Sequence, residues 1–218
     1  MLGRPLPPDR DPSPPPGARG DAWTVWRPLI TSRLHLLLIP LLVLVGRAPD
    51  LFYYDRDWDE AAMMAQAWAM SKGGVLYKDI FQIHPILNIA VFVPFFALFP
   101  VDVVPHTVKL FNLGLVVGAT LIVRTIARAW LGDPWSALAA GLIFAFHFSD
   151  TFVWAQASHG EFYAIVPLLL SLWILFFSSQ REWRRHILAG SLWGVAVLFK
   201  QVALVDASVV YEIGRAHV

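Results

Sequence analysis

Residues 86–100, ILNIAVFVPFFALFP, and 107–123, TVKLFNLGLVVGATLIV, decide the fold. Both are apolar enough to enter a bilayer. A transmembrane helix needs about 20 apolar residues. The first stretch is shorter than that, is bounded by Pro85 and Pro100, and contains Pro94. That pattern suits an interfacial or re-entrant segment rather than a span. The second stretch reads as a span that ends at Arg124 and Arg128. Its Gly114-x-x-x-Gly118 is either a close helix contact or incidental.

Further apolar runs lie on both sides. Leu34 to Gly46 precedes, and 135–153, 162–178 and 187–211 follow. The chain of 218 residues is 57% hydrophobic and 15% charged, whereas soluble domains are about 25% charged. It belongs to the membrane class. The net charge of +1 gives no polyanion-binding signature, so nucleic acid is not an expected partner. With no cysteine, disulfides, thiolate metal sites and cysteine nucleophiles are excluded.

Residues 1–26 are rich in Pro, Arg, Asp and Gly and read as a disordered tail. Leu34 to Gly46 is short for a span and is interrupted by Pro40, so a signal-peptide h-region competes with a span from about Pro28 to Pro49. In the span, Arg33 and Arg47 snorkel to the two interfaces.

Basic clusters sit at Arg19/Arg27/Arg33, Arg124/Arg128 and Arg181/Arg184/Arg185. The positive-inside rule places all three in the cytoplasm. Only one span then separates the acidic stretch after Asp50 from Arg124. The expected fold is an all-α polytopic bundle of about five spans. Residues 27–211 form it, and an outer loop, 48–106, carries two membrane-associated helices. One of these is Glu60 to Lys72, acidic at its start and stopped by Gly73-Gly74. Asp150 to Glu161 falls on the same outer side, and the N-terminus is cytoplasmic.

The outer loop opens on Asp57-Trp58-Asp59-Glu60. Carboxylates there stabilise a first helical turn by about 0.3–1 kcal/mol each, and Asp59 reads equally as an N-cap. Gly74-Val75-Leu76-Tyr77-Lys78-Asp79-Ile80-Phe81-Gln82-Ile83-His84-Pro85 follows. Later come Ala157-Ser158-His159-Gly160-Glu161 and a Gly-rich run from Ala189 to Lys200-Gln201. Lys200 stands inside an apolar run, where a charge costs about 2.5–3.5 kcal/mol on insertion scales and marks a functional site unless it snorkels. It is read as the only strong intramembrane charge. His147 reads as a packed histidine, and His35 and His106 as interfacial ones. No H-E-x-x-H and no phosphate-binding Gly-Lys loop is present.

The order of Asp-Glu, amphipathic helix, Gly-x-x-Tyr-x-Asp, His-Pro and an apolar segment resembles the first periplasmic loop of GT-C membrane glycosyltransferases. The resemblance is to the branch with protein O-mannosyltransferases, the aminoarabinose transferase and Rgt-type enzymes, over about residues 30–211. It implies transfer of a sugar from a polyprenyl-phosphate donor to a glycan, lipid or protein acceptor at the outer face of the inner (plasma) membrane. It implies Asp59 as the catalytic base, with Glu60 and Glu161 as supporting carboxylates. His84, Lys200, Arg56 and Lys78 become donor-phosphate partners, and Asp79 and Gln201 support them. The family often has Lys where His84 stands, and neutral histidine holds phosphate less well. No cofactor is certain. A divalent metal shared by Asp59, Glu161 and donor phosphate is compatible, though no spacing demands it.

The last residues, 212–218, do not continue the membrane pattern. They match the translation of a common sequencing-adapter oligonucleotide, AGATCGGAAGAGCACACGTC, and read as a non-native tail. The native chain is expected to continue past about Tyr211, and residues 1–218 to be inactive alone. Two other classes stay open: a secondary transporter or permease, marked by ionisable groups at midplane, and a non-catalytic membrane assembly subunit.

Overall fold

The computed structural model describes residues 33–52, 58–81, 84–149, 160–205 and 208–209. The expected tails at 1–26 and 212–218, and Arg56, lie outside these residues. The described chain is helical: α1 (Arg33–Phe52), α2 (Trp58–Ser71), α3 (Leu87–Ala90), α4 (Val93–Leu98), α5 (Val104–Leu131), α6 (Pro134–His147), α7 (Gly160–Phe177) and α8 (Glu182–Phe199). Its one extended pairing among the described residues is an isolated bridge between Leu76 and Ile80.

Two helices, α5 and α7, are long and apolar enough to cross a membrane. Only 33% and 39% of their apolar windows are buried inside the protein. The rest of these two helices is largely half-buried, and in α7 only Glu161 is exposed. Large apolar side chains such as Leu37, Val45, Leu110, Ile143 and Leu198 are exposed. Two helices of this length and apolarity, with these exposed apolar side chains, are compatible with a membrane environment.

The stretch 86–100 holds two short helices, with Val91 and Phe92 between them still in the right-handed helical region. α3 has four residues and α4 has six, so neither crosses a bilayer. Pro94 explains the interruption. It lacks an N–H and is tolerated in a first helical turn, where it sits in α4. Pro40 behaves differently from the expected interruption. α1 runs through both Pro40 and Pro49, and Ile39 and Val43 beside Pro40 are buried. α1 packs on α5, which offsets the backbone donors that the two prolines lack.

α1, α5, α6, α7 and α8 alternate in direction. Gly132, in the left-handed region at φ 70°, ends α5. Asp133 caps α6, its carboxylate accepting from the Ser136 N–H at 2.6 Å, and Pro134 follows. This turn folds α6 back on α5. Near the C-terminal end of α1, the Arg47 guanidinium donates to the Phe148 carbonyl at 3.1 Å and lies over the Phe162 ring. The ends of α1 and α6 therefore meet the start of α7. At the opposite end Trp130 packs on Phe176, and Arg185 donates to the Leu175 carbonyl at 3.3 Å. Arg124, Arg128, Arg181, Arg184 and Arg185 belong to that end, where Trp130, Trp135 and Trp183 are exposed.

Several expectations are corrected. Arg47 is buried rather than snorkelling, because a helix C-terminus and an aromatic face together receive its charge. The close α5–α6 approach lies at Gly141, where a Cβ would stand 3.1 Å from the Cβ of Arg124. Nothing lies within 4 Å of a Cβ at Gly114 or Gly118. His147 is exposed at the end of α6 instead of packed within a span. α8 ends at Phe199, and Lys200 is its extended C-cap rather than a residue inside a longer helix. Lys109 is also buried in α5, so Lys200 is not the sole charge in the apolar runs.

Candidate functional site

α2 begins at Trp58, two residues before the expected start, so Asp59 and Glu60 both lie in its first turn. Their side chains diverge because adjacent helical residues point about 100° apart. Asp59 is exposed. Glu60 lies on the buried stripe with Met63 and Ala67, at the i, i+3, i+7 spacing of one helix face. α2 packs with α3 and α4.

Past α2 the chain makes a self-contained turn. Gly73 adopts φ 96°, and a Cβ on Gly74 would stand 2.9 Å from the Ala69 carbonyl. The Asp79 carboxylate accepts from the Val75 N–H at 2.9 Å, and the Asp79 N–H donates to the Val75 carbonyl at 2.8 Å. Tyr77 takes φ 66° there. The Tyr77 hydroxyl donates to the His84 carbonyl at 3.1 Å, and Gln66 donates to the Phe81 carbonyl at 3.3 Å. Asp79 thus builds the loop, and the loop holds the His84 backbone. Lys78 is exposed on the turn, His84 is half-buried and Gln201 is exposed past α8.

The structure brings Glu161 and Lys200 together. The Lys200 ammonium lies 2.6 Å from Glu161 Oε1, and the two side chains are 32% and 61% exposed respectively. A pair this open adds at most about 1 kcal/mol to stability, so its importance is positional. It joins the start of α7 to the end of α8.

Beneath it the contact is tighter. A Cβ on Gly160 would collide first with Asn88 Oδ1, and would stand 2.7 Å from Asn88 Nδ2 and from the Phe199 carbonyl oxygen. Only glycine lets α3, α7 and α8 meet here. One turn along α7, Tyr163 donates to Asn112 Oδ1 at 2.9 Å, and its ring packs against Phe92 and Phe199. Asn88, Asn112 and Tyr163 are all buried. None was among the expected site residues. The available signal was polar residues at Asn88, Lys109 and Asn112 inside otherwise apolar runs.

Among the described residues, no three His, Asp or Glu side chains gather as a metal-holding group. Comparison with family models, with curated proteins and with solved structures yields no match.

Proposed function

We propose that the chain belongs to a GT-C type membrane glycosyltransferase. It transfers a sugar from a polyprenyl-phosphate donor to an acceptor hydroxyl at the outer face of the plasma membrane. The chain crosses the bilayer about five times, by α1, α5, α6, α7 and α8, with the N-terminus inside and α2 to α4 in the first outer loop. The observation that carries this proposal is the Glu161–Lys200 contact. It joins two residues that the sequence singled out, at the end of the bundle opposite Arg124, Arg128, Arg181, Arg184 and Arg185. Such a site has what a lipid-linked donor requires: charge at one interface, beside helices that face lipid.

The chemistry follows from the groups. A carboxylate accepts the proton of the attacking hydroxyl and steadies positive charge developing on the sugar ring. Asp59 takes this role, being exposed in the first turn of α2. Glu60, on the buried stripe, anchors that turn. The leaving group is a lipid phosphate and needs cationic or hydrogen-bonding partners. An ammonium has three donor hydrogens. Glu161 engages Lys200 through one of them, and the phosphate takes another. His84 and Lys78 border the same loop as weaker partners, with Arg56 preceding α2 in the sequence.

Replacing Asp59 by Asn in the protein is expected to abolish transfer. Wild-type transfer at normal expression would remove Asp59 as the base. One feature favours the transporter class instead. Lys109, Asn112, Thr120 and Arg124 form a buried polar stripe along α5, and ionisable groups inside a bundle are a transporter's hallmark. Substrate flux in proteoliposomes without a lipid-linked donor would establish that alternative.

A further inference from the structure

The end of the bundle opposite Glu161 and Lys200 carries positive charge that the fold does not neutralise. Arg181 immediately precedes α8, and Arg184 and Arg185 follow it by three and four residues, the spacing of one helix face. Arg181 and Arg184 are exposed, and neither has an acidic partner among the described residues. Arg184 lies instead over the Trp183 ring, 5.1 Å from its centroid. Arg185 is half-buried and donates to the Leu175 carbonyl at 3.3 Å. The next residue of α7, Phe176, packs edge-on against Trp130 of α5 with ring centroids 5.7 Å apart. The last turn of α7 thus draws Trp130 and the arginines of α8 to one place. Of the nearby carboxylates, Asp133 is engaged in capping α6, and Glu182 stands among the three arginines.

Apolar side chains border this charge. Trp130, Leu131, Trp183, Ile187 and Leu188 are all exposed. A soluble polyanion would pair with the arginines and leave that apolar rim in water. A phospholipid answers both features. Its phosphate accepts from guanidinium groups, which present parallel N–H donors, and its chains cover the rim while tryptophan sits at headgroup level. We propose that this end of the protein binds the headgroup of an anionic phospholipid through Arg181, Arg184 and Arg185, with Trp130 and Trp183 seated at the same interface. The uncompensated charge selects the headgroup. An anionic lipid brings net negative charge to the arginines, as basic clusters beside a membrane require. Phosphatidylcholine brings its own cation with its phosphate. The site is independent of the reaction the protein carries out. It rests on this end meeting a bilayer, as the five-span arrangement has it.

The test places the purified protein in phosphatidylcholine vesicles that contain, at equal mole fraction, either phosphatidylglycerol or phosphatidylcholine with brominated chains. Bromine quenches the fluorescence of tryptophan beside it. Brominated phosphatidylglycerol should quench more strongly, and the excess gives its affinity relative to phosphatidylcholine. Each arginine at an anionic surface is worth about fivefold in affinity. The double variant Arg181→Gln/Arg184→Gln should therefore lower the preference by at least about fivefold. Arg181→Lys/Arg184→Lys, which keeps the charge, should retain most of it. Equal quenching by the two lipids, or a preference that survives the Gln variant, overturns the lipid site alone. A Lys variant as impaired as the Gln variant assigns the effect to folding and overturns it too. So does complete displacement by tripolyphosphate at stoichiometric concentration, which marks a soluble polyanion as the ligand. A protein that enters neither kind of vesicle overturns the five-span arrangement, and the lipid site with it.

Discussion

At the scale of single residues, Glu161, Lys200 and Gly160 separate stability from function. The Glu161–Lys200 pair is too exposed to contribute more than about 1 kcal/mol to folding. Glu161→Gln and Lys200→Met should therefore leave Tm nearly unchanged. Loss of a charged hydrogen-bonding group to the donor should slow transfer by about ten- to a hundredfold. A Tm loss matching the loss of activity would make the pair structural. Gly160→Ala should behave in the opposite way. Its Cβ would stand 2.7 Å from a backbone carbonyl of α8, and overpacking of this kind costs about 1–3 kcal/mol. Denaturation in detergent should show that loss, with transfer falling in parallel. Lys200 was legible in the sequence because charge within an apolar run is expensive, and Glu161 only through the family resemblance. Asn88 was not, since a neutral amide in such a run has no clear signature until its lack of a partner is seen.

At the scale of elements, the α5–α6 turn follows from local chemistry. Gly132 takes the left-handed conformation, Asp133 caps, and Pro134 enters the first turn. Hydrogen bonds from the Ser136 backbone and side chain hold the Asp133 carboxyl below its ordinary range. A depressed carboxylate stabilises the fold above its unfolded value of about 3.9. The contribution is lost as pH falls through the lower folded value. Asp133→Ala should lower Tm at neutral pH, and the gap from wild type should close on strong acidification. Asp133→Asn, still a good cap, should stay near wild type at neutral pH. A gap in the Ala variant that persists at low pH would contradict the capping role. The same local logic marked 86–100 as too short to span, but read it as one segment and did not place the interruption before Pro94. It failed at Pro40, where tertiary packing keeps the helix continuous.

At the scale of the whole molecule, charge and aromatic residues divide between two ends. Arg124, Arg128, Arg181, Arg184 and Arg185 gather at one end with exposed Trp130, Trp135 and Trp183, and α2, α3, Arg47, Glu161 and Lys200 at the other. The chain has no cysteine, so single cysteines report topology without background. In intact cells, cysteine replacing exposed Lys78 should react with a membrane-impermeant maleimide. Cysteine replacing Gln180 should react only after permeabilisation. Equal labelling of both would overturn the proposed five-span topology and the outer location of the site.

The sequence by itself determined the membrane class, the helical runs, the weakness of 86–100 and the segregation of charge. Each of these depends on composition and local spacing, which need no knowledge of neighbours. Only the tertiary structure decided that Glu161 meets Lys200, that Glu60 is buried while Asp59 is exposed, and that Asn88 lies orphaned against Gly160. Those are contacts between elements far apart in the chain, and the packing of α3, α7 and α8 at one end of the bundle creates them.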